Sequence, residues 1–150
     1  MAGHPFLNSV RKILWVDEDP KYRAEITVYL ENTGRFEVTA RENAFRAVEA
    51  LRENPRIDLI LSDHRMVERG SELARAALRI GIPIVIVTGN FADAVRALRV
   101  YAMKIPVLKK PFAPGKLVEL IDHYLYGRPL SGAPVLSAWW EDDEEGSDRK

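Results

Sequence analysis

Short apolar segments alternate with segments of helical periodicity along this chain, and the alternation is the strongest constraint on its fold. The apolar segments cover residues 12–16, 36–40, 57–62, 82–87 and 106–109. Most are rich in Ile, Val or Leu and are bounded by Pro, Gly or charged residues, as buried strands are. Strands that alternate with helices imply right-handed parallel crossovers and helices on both faces of the sheet. The sequence therefore predicts an α/β domain with a doubly wound parallel sheet.

Helical spacing and capping signals predict five helices between and after these strands. The first begins at Asp19-Pro20, where Asp19 is an N-cap followed by proline at the first helical position, and ends near Gly34. The others are expected over residues 44–54, 71–80, 91–103 and 113–126. At 150 residues the chain suits one domain, which we place at residues 11–126.

The two ends of the chain differ from this domain in composition. Residues 1–10 are interpreted as an N-terminal extension in which Gly3-His4-Pro5 resembles a remnant of cloning. Residues 127–150 are rich in Pro, Ser, Gly and acids, and six acidic against two basic side chains occupy the last ten positions. Such a segment buries too little apolar surface to offset the entropy of ordering. We expect an acidic and mostly disordered tail.

Composition excludes several classes of function. The formal net charge is zero, which argues against bulk electrostatic binding to nucleic acid. The chain has no cysteine, so disulfides and thiolate metal sites are excluded. No stretch approaches the roughly 20 apolar residues of a membrane helix, and we expect a cytoplasmic protein.

Polar residues follow four of the predicted strands directly. Asp17 and Glu18 follow the first, Asp63 the third, Thr88 the fourth and Lys110 the fifth. In an open parallel sheet the carboxyl ends of the strands meet at one crevice, where ligands bind. The scattered acids, hydroxyl and amine are therefore expected to converge. Oxygen ligands suit Mg²⁺ or Mn²⁺, and an amine pairs with a phosphoryl oxygen.

Four motifs resemble those of a response-regulator receiver domain, in order and over about residues 11–126. They are Ile13-Leu14-Trp15-Val16-Asp17-Glu18-Asp19-Pro20, Asp58-Leu59-Ile60-Leu61-Ser62-Asp63-His64-Arg65-Met66, Ile84-Val85-Ile86-Val87-Thr88-Gly89 and Leu108-Lys109-Lys110-Pro111-Phe112. The resemblance implies a flavodoxin-like (βα)5 fold with strand order 2-1-3-4-5. It also implies a phosphoacceptor in a two-component system or phosphorelay, either a stand-alone receiver or one excised from a larger chain.

The resemblance assigns roles to individual residues. Asp63 would take a phosphoryl group from a histidine kinase or a phosphotransfer protein. Asp17, Glu18, Asp63 and the backbone carbonyl of Arg65 would bind Mg²⁺ (or Mn²⁺). Thr88 and Lys110 would contact phosphoryl oxygens, and the bond from Lys110 to Pro111 would be cis.

The expected activity is therefore signalling. The protein would catalyse only its own phosphorylation and dephosphorylation, and would not be an enzyme acting on other substrates. A downstream protein would bind the face formed by the fourth helix, the fifth strand and the fifth helix. Nucleic acid and membrane are not expected partners of this chain by itself, and a homodimer is left open.

Several departures from the family pattern keep alternatives open. Val107 stands where the family commonly has tyrosine or phenylalanine, Glu18 where aspartate is commoner, and Val67 where proline is usual. Gly70 arrives one residue earlier than usual, so the loop after Asp63 is shortened. Val107 and the shortened loop favour a pseudo-receiver that only binds proteins. A second alternative is a haloacid-dehalogenase-type phosphatase with Asp17 as nucleophile and Asp19 as general acid. The order of the remaining motifs counts against it.

Overall fold

The computed structural model describes residues 10–54, 56–63, 65, 72–100, 105–128 and 136–137. Strands and helices alternate along these residues as the sequence predicts. The elements are β1 (Arg11–Val16), α1 (Pro20–Asn32), β2 (Phe36–Arg41), α2 (Ala44–Glu53), β3 (Leu59–Ser62), α3 (Glu72–Ile80), β4 (Ile84–Thr88), α4 (Phe91–Val100), β5 (Val107–Lys109), α5 (Pro114–Tyr126) and β6 (Leu136–Ser137).

The strands form one sheet in the order β2-β1-β3-β4-β5-β6. The pairs from β2 through β5 are all parallel, which confirms the predicted order 2-1-3-4-5. The sequence did not predict β6, which pairs antiparallel with β5 at two positions. Since β6 extends the outer edge, it leaves the carboxyl-end crevice of the parallel strands unchanged.

Helices cover both faces of the sheet, and side chains alternate between the two faces along each strand. In β1, Leu14 and Val16 pack on one face, whereas Ile13 and Trp15 pack on the other. The first face is covered by α2, α3 and α4, and the second by α1 and α5. The buried helix residues on the two faces are Ala47, Ala50, Leu51, Leu73, Ala74, Ala77, Ala94, Ala97 and Leu98, against Leu30, Leu117, Leu120 and Ile121.

Two strands, β3 and β4, begin two residues later than predicted, each for a local reason. β3 starts at Leu59 and not at residue 57, because Asp58 is engaged before the ladder begins: its carboxylate accepts the Lys12 N–H at 2.8 Å. β4 starts at Ile84 and not at residue 82, since Pro83 has no N–H to donate to a ladder. The Pro83 carbonyl still accepts the Ile60 N–H at 2.9 Å.

The predicted helix caps and chain ends are described in part. Asp19 caps α1, because its side chain accepts the N–H groups of Lys21 and Tyr22. The helix predicted over residues 91–103 is described to Val100, and residues 101–104 lie outside the described part. Residues 1–9 also lie outside it, as does the tail apart from Gly127, Arg128 and β6. In the described ranges no helix combines the length and the hydrophobicity that crossing a membrane requires.

Candidate functional site

Asp17 and Asp63 each lie one residue beyond the end of a strand, and the two strands, β1 and β3, are neighbours in the sheet. The main-chain pairing continues past each strand: the Asp63 N–H donates to the Val16 carbonyl at 2.9 Å, and the Asp17 N–H to the Arg41 carbonyl at 3.2 Å. Both residues are buried, Asp17 being 2% and Asp63 7% exposed. Burying a carboxylate is costly unless it has partners, so this pair marks a site that interacts with cations or donors.

Three groups hold Asp17 in place. Its Oδ1 accepts the Asp19 N–H at 2.8 Å, and its Oδ2 lies 3.3 Å from Nζ of Lys110. The guanidinium of Arg23 donates to the Asp17 carbonyl at 2.7 Å. Both the backbone and the carboxylate of Asp17 are thereby fixed at the carboxyl-end crevice of the sheet.

Lys110 reaches the crevice from the end of β5. Its N–H donates to the Thr88 carbonyl at 2.7 Å, which prolongs the pairing of β4 with β5, and its bond to Pro111 is cis as the resemblance implied. The ammonium meets the Asp17 carboxylate and also lies 4.0 Å from the centroid of the Tyr22 ring. The amine is thus brought to the acids across 93 residues of sequence.

Thr88 is fully buried at the end of β4 and is linked to the start of α4. Its Oγ1 accepts the Asn90 N–H at 2.9 Å. Asn90 in turn caps α4, because its Oδ1 accepts the Asp93 N–H at 3.1 Å. Any displacement of the Thr88 side chain therefore acts on the first turn of α4.

Glu18 and Arg65 form an ion pair at the rim of the crevice. Nη1 of Arg65 lies 3.3 Å from Oε2 of Glu18, and the two side chains are 56% and 25% exposed. The hydrogen bond that Arg65 donates to Glu18, together with the charges of Asp63 and Glu18, raises the pKa of Arg65 above its ordinary value. Residues 64 and 66–71 lie outside the described part, so the shortened loop predicted there is not described.

Three acidic side chains have the chemistry of a Mg²⁺ site, but two of them form ion pairs with basic side chains of the protein. Asp17, Glu18 and Asp63 supply hard oxygen donors, which Mg²⁺ prefers. Within the described ranges, however, no three acidic or histidine side chains come together as a group that could hold a metal. Lys110 and Arg65 contact Asp17 and Glu18 instead.

Sequence reasoning missed two side chains that surround the predicted residues. Tyr22 packs on Trp15 in an edge-to-face arrangement, with ring centroids 5.8 Å apart, and contacts Lys110. Burial, together with the charges of Asp17, Glu25 and Asp63, raises the pKa of Tyr22 to about 12. Arg23 was missed as well, although its position six residues after Asp17, on the first turn of α1, was a usable signal.

Comparisons with known proteins agree with this geometry. The response regulator receiver domain family matches residues 13–122 of the chain. A response regulator receiver protein from Sinorhizobium medicae shares 27% identity at a TM-score of 0.66, with 80% of this chain and 98% of that chain covered. One from Pseudomonas putida shares 28% identity at a TM-score of 0.64, covering 76% and 97%.

A third solved structure is more distant in sequence and shows the fold alone. It is the receiver domain of Ssk1 from Saccharomyces cerevisiae, crystallised with the histidine phosphotransfer protein Ypd1. It shares 17% identity at a TM-score of 0.62, covering 77% of this chain and 89% of that chain. The comparison with curated protein sequences gave no significant match.

Proposed function

This chain belongs to the response regulator receiver domain family of two-component signalling, and we propose that it accepts a phosphoryl group on Asp63. The observation that carries the proposal is the ion pair of buried Asp17 with Lys110, beside buried Asp63 at the end of the neighbouring strand. Acids that need a cation and an amine that pairs with phosphate are the groups that phosphoryl transfer requires.

The proposed donor is a phosphohistidine on a histidine kinase or a phosphotransfer protein. Membership of the response regulator receiver domain family supports a partner of this kind. A carboxylate oxygen of Asp63 forms a bond to phosphorus while the bond from phosphorus to the imidazole nitrogen breaks. The product is an acyl phosphate on Asp63, and the electron pair of the broken bond stays on the imidazole.

The residues around Asp63 have separate tasks in this step. Lys110 moves from Asp17 to a phosphoryl oxygen, and Thr88 turns its hydroxyl toward another. Asp17, Glu18, Asp63 and the Arg65 carbonyl would hold Mg²⁺ (or Mn²⁺), which neutralises charge on the transferred group when bound. Glu18 is also paired with Arg65, so a cation bound at Glu18 would lie close to a second positive charge.

We propose that the signal leaves through α4. When Thr88 turns toward the phosphoryl group, its Oγ1 gives up the Asn90 N–H and loosens the N-cap of α4. The face of α4, β5 and α5 is the proposed docking surface for a downstream protein. Val107, fully buried in β5, has no aromatic ring to rotate, so the cap of α4 carries the change.

Phosphorylation is tested with the purified chain, Mg²⁺ and a small phosphoramidate or acyl phosphate, read by intact mass. The wild type should gain one phosphoryl group, and Asp63→Asn should gain none. Asp58→Asn is the matched control, because Asp58 precedes β3 at the opposite end from Asp63 and should leave the gain intact. Labelling that persists in Asp63→Asn would show that the assignment of the acceptor is wrong.

Calorimetric titration with Mg²⁺ separates this proposal from a pseudo-receiver. The wild type should bind the cation, and Asp17→Asn and Asp63→Asn should bind it much more weakly. A wild type that neither binds Mg²⁺ nor accepts a phosphoryl group, but still binds a protein partner, would be the pseudo-receiver. Such a result would refute the phosphoacceptor function.

The readout is tested by residue-resolved NMR with beryllofluoride and Mg²⁺. Chemical-shift changes should centre on Asp63, Thr88 and Asn90 and fade along α4. Changes at Val107 as large as those at Thr88 would contradict a signal that passes through the cap of α4.

The phosphatase alternative gains no support from Asp19. Its carboxylate is exposed and accepts the N–H groups of Lys21 and Tyr22 as the cap of α1, so it is engaged in stabilising the helix. Hydrolysis of a small phosphomonoester should be absent from the wild type. Turnover that disappears in Asp19→Asn would restore the alternative.

A further inference from the structure

The ammonium of Lys110 has two neighbours of different chemistry. Its Nζ is 3.3 Å from Oδ2 of Asp17 and 4.0 Å from the centroid of the Tyr22 ring. The ring contact lies well within the roughly 6 Å over which an aromatic face attracts a cation. The side chain of Lys110 is 23% exposed, so the contact is partly shielded from water and stronger than one on the open surface.

The Tyr22 ring is itself held in place. It lies in the first turn of α1, whose N-cap Asp19 accepts the Tyr22 N–H at 3.3 Å. Its ring packs edge-to-face on Trp15, and the Trp15 indole donates to the Arg23 carbonyl at 3.2 Å. Trp15 is 1% exposed and belongs to β1. The Tyr22 ring thus packs on β1, the strand that ends directly before Asp17.

An aromatic face positions a lysine without using its hydrogen bonds. The ammonium has three N–H donors, and a ring contact satisfies the charge while leaving donors available for oxygen acceptors. A carboxylate in place of Tyr22 would instead compete for those donors with any incoming anion. The phenol is neutral at physiological pH, and burial together with the surrounding acids raises the pKa of Tyr22 further, from about 10 to about 12.

We propose that Tyr22 is a positioning residue that holds the Lys110 ammonium in the crevice through the face of its ring. Lys110 can then exchange Asp17 for a phosphoryl oxygen without leaving the ring. This inference rests on the proposed function for its consequence in phosphoryl transfer, whereas the contact itself exists without phosphorylation. The two can therefore be tested separately.

The contact is tested by NMR of lysine ε-CH₂ groups in wild type, Tyr22→Phe and Tyr22→Leu, with Lys110→Arg to assign the signal. The Lys110 ε-protons should be shifted upfield by the ring current in wild type and Tyr22→Phe, and should return to the position of exposed lysines in Tyr22→Leu. Tyr29→Leu is the matched control, since Tyr29 lies on the same helix and packs against the same core. A Lys110 signal that is unshifted in the wild type, or unchanged in Tyr22→Leu, would overturn the inference.

The consequence is tested by the rate of phosphorylation from a small phosphoramidate. Tyr22→Leu should lower the rate about fivefold to thirtyfold, the factor of a cation–π contact of roughly 1–2 kcal/mol, while Tyr22→Phe and Tyr29→Leu stay within about twofold. Calorimetric Mg²⁺ affinity should stay unchanged in Tyr22→Leu, which distinguishes positioning of Lys110 from a general collapse of the site. A Tyr22→Leu protein as fast as the wild type would refute the role of Tyr22. A wild type that is never phosphorylated would refute the proposed function and leave the NMR result to decide the contact.

Discussion

The ion pair of Lys110 with Asp17 should contribute measurably to stability, and Lys110→Met should show it. At 3.3 Å the gross attraction is about 5 kcal/mol for an effective dielectric constant of about 20. Desolvation of Asp17, which is 2% exposed, offsets much of this, and the partial exposure of Lys110 reduces it further. We therefore expect Lys110→Met to lower the free energy of unfolding by about 2 kcal/mol. Asp17→Asn should lower it by about 1 kcal/mol, because an amide oxygen can still accept the Asp19 N–H.

The assay is urea unfolding followed by far-UV circular dichroism without divalent cations, completed as a double-mutant cycle. In the double variant, the decrease in the free energy of unfolding should be about 1.5 kcal/mol smaller than the sum of the two single decreases. The reason is that the second substitution removes a charge that has already lost its partner. Lys116→Met with Glu119→Gln is the control cycle: this pair lies on one helix at 3.1 Å with both side chains better exposed than Asp17, and its coupling should stay near 0.5 kcal/mol or less. Additive losses for Lys110 and Asp17, within about 0.5 kcal/mol, would refute this account of the crevice.

Three further outcomes follow from other parts of the structure. The pKa of Tyr22 is raised to about 12 in the folded state, above its unfolded value near 10. The contribution of Tyr22 to the free energy of unfolding is therefore complete below pH 10 and is lost between pH 10 and 12. Urea unfolding between pH 10 and 12 should show a smaller loss of stability in Tyr22→Phe than in the wild type. Equal losses in the two proteins would contradict the raised pKa. Asp122→Asn should lower the unfolding free energy by about 1–2 kcal/mol in thermal melts, because buried Asp122 accepts from both Arg35 and Arg128. Truncation after Arg128 should change the melting temperature by less than about 3 °C, since β6 adds two paired positions to β5; a larger drop would show that the tail is part of the core.

The order of the sheet and the position of the site could be predicted because both follow from periodic and topological rules. Apolar runs that alternate with amphipathic segments leave few arrangements other than a doubly wound parallel sheet. In that sheet the residues after the strands share one edge whatever their distance in sequence. Asp17, Asp63, Thr88 and Lys110 therefore needed no contact information to be grouped, and the structure brings Lys110 to Asp17 as expected.

The side-chain partners within the site could not be predicted from the same rules. The contact of Lys110 with Tyr22, beside its contact with Asp17, depends on rotamers and on the angle at which α1 leaves β1, which periodicity does not encode. The pairing of Glu18 with Arg65 likewise depends on two long side chains at the rim. β6 was not predicted because two residues are too few for an alternation pattern to be recognised.

Val107 shows how far the packing of this chain limits the way a signal can leave the site. It is fully buried among the residues of the α2–α4 face, a cluster that includes Ala94 and Leu98 of α4, so the space beside β5 is filled by aliphatic side chains. A ligand shifts a conformational equilibrium by no more than its differential affinity for the two states. With no ring to move, the described link from Thr88 to α4 is the N-cap at Asn90, and an N-cap contributes about 0.5–2 kcal/mol. A switch that works through this cap alone would therefore change the equilibrium constant between α4 states by roughly twofold to thirtyfold, well short of the roughly 10⁴-fold that a nearly complete switch requires.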